Sequence, residues 1–115
     1  MAISEPFAFS ETVSTTEWSM TTDSAGPDIE TSDGVFQAFL DLNALVAGDE
    51  FEFKVYEKVQ SGSTQRAVYS ARFVGVQGQP NWTSPSLVLI HGWDMTLKKI
   101  AGTDRNIDWS IRKVV

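Results

Sequence analysis

The chain contains no cysteine, a single histidine and, through its first 53 residues, no lysine or arginine. Without cysteine there is no disulfide framework, no thiolate metal site and no thiol nucleophile, although this alone does not place the protein inside a cell. No apolar run exceeds four residues, as in Leu87–Ile90, far short of the roughly 20 that a membrane helix needs. Met1–Pro6 carries Glu5 and leads into polar Ser and Thr instead of a basic and then an apolar region, so neither a signal peptide nor a membrane partner is expected. There is no Gly-x-Ser-x-Gly elbow and no Gly-rich phosphate loop. No enzyme activity and no cofactor are therefore expected.

What is present is unevenly distributed. Fifteen acids against nine bases give −6, but residues 1–53 hold eleven acids and no base, while residues 54–115 hold four acids and nine bases. The halves are −11 and +5. The acidic half repels nucleic acid and the bases form no phosphate-neutralising stripe, which disfavours a nucleic-acid partner. Opposite fields in one small chain imply that the acidic segment lies against the basic half or against another subunit, with either contact weakening as salt rises. The length suits one domain, 1–115, with one modest core.

Alternation of apolar and polar residues reads as strand through most of the chain. Residues 4–33 contain twelve Ser or Thr, and Phe7–Met20 reads as one or two edge-like strands, followed by turn-forming Asp23–Pro27 and Thr31–Gly34. Residues 1–20 are thus either an edge strand or an N-terminal arm. In Val35–Leu42 the residues Phe36, Ala38, Leu40 and Leu42 share an apolar face, which leaves Phe39 on the polar one. Leu42–Asp49 reads as a turn crossing to a second sheet, with Leu42 and Leu45 capping the core. Glu50–Val59 and Gln65–Val76 form a hairpin whose paired residue numbers sum to 124, favourable on both faces except for Lys58 against Arg66.

Ser86–Ile90 reads as a fully buried strand. Asp94–Ala101 and Arg105–Val114 read as a last hairpin with pair sums of 206, setting Leu97 against Trp109, Met95 against Ile111, Lys98 against Asp108 and Asp94 against Arg112. The expected fold is all-β: a single antiparallel β-sandwich, jelly-roll or immunoglobulin-like, of about six to eight strands.

Candidate chemistry is sparse. His91 has no local nucleophile or carboxylate and reads as structural. Asp23, Asp28, Glu30 and Asp33 could ligate a hard cation, but they match no EF-hand spacing and read as a solvated acidic loop. Asn81-Trp82-Thr83 matches a glycosylation sequon, read as accidental without a secretory signal. Trp109 reads as core. Trp82 and Trp93, placed in a loop and near a strand end, are candidates for stacking on sugar rings, the mark of a carbohydrate-binding module or a tail- or head-fibre component.

The stretches GVFQAFLDLNALVAGDEFEFKVYEKV (34–59) and SPSLVLIHGWDMTLKKIAGTDRNIDWSIRKV (84–114) resemble small β-rich structural proteins of tailed-bacteriophage virions, in particular the capsid decoration, or cement, class. The resemblance covers about two-thirds of the chain and has no catalytic motif to match. It implies a protein of the virion, made in the host cytoplasm, that binds the outer surface of the major capsid protein lattice and strengthens the head, often as a homotrimer. Shell binding calls for an edge strand or arm able to pair with a neighbour. Phe7, Phe9, Val13 and Trp18 are the expected capsid or subunit contacts.

Overall fold

The computed structural model describes residues 2–115. Ten strands follow in order: β1 (Ile3–Val13), β2 (Trp18–Ser19), β3 (Ser24–Ala25), β4 (Gly34–Asp41), β5 (Glu50–Glu57), β6 (Arg66–Val74), β7 (Asn81–Thr83), β8 (Leu87–Leu89), β9 (Asp94–Ala101) and β10 (Arg105–Val114). They make two antiparallel sheets. In the first, β1 pairs with β10 and β10 with β4, while β7 and β8 share the far edge of β4; the second runs β3-β2-β9-β5-β6. The fold is all-β, and the layout is compatible with a sandwich.

The pairing is nested. β1 pairs with β10, β2 with β9, β4 with β7 and β8, and β5 with β6, and successive pairs alternate between the sheets. The chain is in effect a long antiparallel ribbon bent back at the β5–β6 turn. Rolling up the ribbon then adds the β10–β4 and β9–β5 ladders.

Local sequence explains most of the ladders. β4 buries Phe36, Ala38 and Leu40 and leaves Val35 and Asp41 exposed; Phe39 on the outer face is covered by the Arg112 guanidinium, 3.8 Å from its ring centroid. Leu42 and Leu45 close the core end, in a turn where Leu45 N–H donates to Leu42 O at 3.2 Å, before the chain enters the second sheet. The β5–β6 register has the expected sum of 124 from Glu50↔Val74 to Val55↔Tyr69. A bulge then admits Val68 as an extra residue, so that Tyr56 faces Ala67 and Glu57 faces Arg66. The like-charged Lys58–Arg66 pairing expected from sequence is thereby replaced by opposite charges.

Two expectations are corrected. β9 and β10 form no hairpin: β9 lies between β2 and β5 in one sheet, and β10 between β1 and β4 in the other. Leu97 and Trp109 are both buried, but on opposing sheets; Lys98 faces Glu52, and Asp108 faces Asp41 and Ser10. The connection Gly102–Asp104 crosses between layers, and Gly102, at φ +89°, sits so close to Asp49 that a Cβ there would collide with its carboxylate and backbone. β8 is likewise not fully buried. Leu89 points inward, whereas Val88 and neighbouring Ile90 are exposed, because β8 is an edge strand covered on one face only.

The two layers meet through aromatic and aliphatic side chains. Phe36 packs on Trp93 with centroids 4.5 Å apart, and Trp82 stands edge-on to Phe53 and Phe73 at 5.4 and 5.0 Å. Each wholly buried Phe, Leu or Met in this layer contributes about 1.5–3 kcal/mol.

Candidate interaction surfaces

Of the expected contact residues on the N-terminal segment, Val13 is buried, Phe7 and Trp18 are half-buried, and Phe9 remains 38% exposed. A bulge at Glu5-Pro6 sets two residues of β1 opposite Arg112 and reverses the facing of the strand, so Ile3 points outward while Phe7 and Phe9 lie opposite Ile111 and Trp109. Phe7 stands edge-on to Trp93 at 6.0 Å, Phe9 lies 6.2 Å from Trp109, and Val13 is buried. Trp18, half-buried, pairs with Leu97 and donates from Nε1 to Asp23 at 3.0 Å. Residues 3–13 therefore form an edge strand of the chain's own sheet and are no detached arm.

The tryptophans proposed for sugar stacking are also turned to the core. Trp93 is wholly buried, its Nε1 donating to Ser32 O at 2.6 Å, and half-buried Trp82 leans on Phe53 and Phe73. Trp109 is core as expected, donating to Met20 O at 3.0 Å. At His91 the backbone N–H donates to Glu57 at 2.6 Å. Asn81 opens β7.

Acidic side chains tie loops to strands. Asp94 is buried and accepts from Thr21 Oγ1 at 2.8 Å, Asp28 N–H at 2.7 Å and Met95 N–H at 2.9 Å; burial raises its pKa, and these hydrogen bonds offset part of that shift. Asp49, also buried, accepts from the N–H groups of Val46 and Thr103 and from Arg105 Nε at 2.7 Å. The backbone donors, followed by Arg105, hold its pKa down at about 2. Glu17 accepts from Tyr56 Oη and from Thr96 Oγ1 at 2.6 Å; burial, and then Glu17, raise the Tyr56 pKa. Asp28 accepts from Thr22 Oγ1 at 2.7 Å, and Glu30 accepts the N–H groups of Thr31 and Ser32. Among the described residues no group of three or more His, Asp or Glu is arranged to hold a metal ion.

One surface was not legible as a surface in the sequence. On the outer face of the first sheet Ile3 pairs with Val114, Val114 with Val35, and Val35 with Val88, a row of four aliphatic side chains that are 56, 42, 36 and 79% exposed. Beside it is a groove of about 190 Å³ lined by Ile3, Val35, Phe39 and Val114, with the Arg112 guanidinium over Phe39; Lys113, paired with buried Phe36, carries its ammonium 5.6 Å from that ring on the other face of β10. That volume is below the roughly 300–1,000 Å³ of small-molecule sites and suits a side chain from another surface. Among the described residues neither Arg112 nor Lys113 is in an ion pair; Glu5, opposite Arg112, accepts instead from Ser110 Oγ. The row depends on cross-strand register, which is why it could not be read along the chain.

Comparison with protein-family models, with curated proteins and with solved structures returned no match.

Proposed function

We propose that the chain is a non-enzymatic structural protein of a bacteriophage virion, a decoration protein that docks on the outside of the major capsid protein lattice and stabilises the head. The observation that supports this reading is the nested strand order. With β3 taken as an edge addition and β7 and β8 as one interrupted strand, the order β1-β10-β4-β7/β8 and β2-β9-β5-β6 is compatible with a jelly-roll sandwich, an architecture used by viral shell proteins and by lectins. A fold hosts many functions, so the virion assignment rests on this analogy together with the sequence resemblance. The sugar-binding alternative has less to support it, because Trp93 is wholly buried and half-buried Trp82 leans on Phe53 and Phe73.

The test is co-sedimentation of the purified protein with shells assembled from the major capsid protein of the same phage. Saturable binding, a fixed copy number per shell in a particle reconstruction and a raised shell melting temperature are expected. Absence of binding to intact shells overturns the assignment.

A further inference from the structure

We infer that the groove between β10, β4 and β1 is a self-association site whose occupant is the Ile29 loop of a second copy of this chain. The inference does not depend on the virion reading. It starts from an unbalanced patch: apolar walls and the Arg112 guanidinium, which among the described residues is in no ion pair, in a chain whose net charge is −6. The complementary shape is an aliphatic side chain flanked by carboxylates, and the chain itself presents one. Ile29 is 57% exposed, with Asp28 and Glu30 on either side and Asp33 four residues on.

The backbone around Ile29 is held before any partner arrives. Asp28 N–H donates to the Asp94 carboxylate at 2.7 Å, and Asp28 O accepts from Gln65 Nε2 at 2.8 Å. Glu30 exchanges two backbone hydrogen bonds with Trp93, at 2.7 and 2.9 Å. The loop is therefore a fixed knob, and seating it costs little further ordering, which is what makes a small contact effective. In the groove the Ile29 side chain displaces water from apolar walls, while the flanking carboxylates come within reach of Arg112. Such pairing adds modest affinity and strong orientational preference.

Loop and groove lie at the same end of the molecule, since the loop runs directly into β4 at Gly34, beside Val35 of the aliphatic row. A contact between two different patches is heterologous, and copies joined by it form a ring when the rotation between them closes.

Sedimentation velocity across a concentration series tests this. The wild-type protein is expected to form a discrete small oligomer at low ionic strength and to dissociate as salt rises. Ile29→Asp is expected to give monomer, and Arg112→Glu to weaken association at least about tenfold. Adding Glu30→Lys and Asp33→Lys to the Arg112→Glu variant should restore it. Ile100→Asp, at the opposite end of β9, should change nothing. Thermal melts confirm that each variant is folded. A wild-type monomer at every concentration and salt, an oligomer that survives Ile29→Asp, or failure of the reversed charges to restore association overturns the inference.

Discussion

Asp49 and Asp94 are both buried carboxylates, and acid acts on them in opposite directions. The pKa of Asp49 falls from 3.8 to about 2 on folding, so its contribution is present above the unfolded value and is lost as pH falls through about 2. Asp49→Ala is expected to lower the melting temperature at neutral pH, with the gap from wild type closing as the pH approaches 2. Asp94 is raised by burial; its contribution is present in acid and is lost as pH rises through the carboxylate range. Asp94→Asn places an amide N–H₂ against one of the donors from Asp28, Thr21 or Met95. The expected cost is about 1–3 kcal/mol in acid, shrinking as pH rises, and melts over a pH series distinguish the two profiles. Neither residue was legible as buried. Asp94 follows Trp93 at a strand start and reads as an outward-facing position until the 17–28 segment is seen to cover it.

Among the elements, β7 has three residues and, besides its ladder to β4, is anchored by one aromatic side chain. Trp82→Ala removes the group that meets Phe53 and Phe73 and is expected to cost about 3 kcal/mol in urea unfolding. A ring that served a ligand would instead leave stability unchanged. The β5–β6 register was readable because a hairpin brings its two alternations together directly, and both faces had to agree. The same reasoning misplaced β9 and β10. Each strand alternates correctly, and Met95, Leu97, Ile107, Trp109 and Ile111 are all buried, but facing residues across two layers produce the same pattern as neighbours within one sheet. A three-residue connection such as Gly102–Asp104 can serve either geometry. Face was therefore legible and partner was not, and for the same reason the exposed aliphatic row, assembled from four separate strands, was hidden.

For the whole molecule the charge split proves a weak closing force. In the first 53 residues, Asp49, Glu50 and Glu52 are the acids that form ion pairs, with Arg105, Arg72 and Lys54; among the described residues the acids before Asp49 form none. What holds the N-terminal segment is β-pairing and apolar contact along β1, together with buried Met20. Removing residues 2–20 takes β1 from one sheet and β2 from the other and uncovers Ile107, Trp109 and Ile111, so the truncated chain is expected to lose its cooperative thermal transition in calorimetry; a sharp transition retained at the wild-type temperature would contradict this. The nested order also has a consequence for synthesis on the ribosome. β9 and β10 are inner strands of the two sheets, so a nascent chain that has already emitted β1 to β8 has neither sheet joined through its middle. Its apolar faces stay uncovered until residues 94–114 emerge, so these two sheets close only once β10 has left the ribosome and are exposed to aggregation until then.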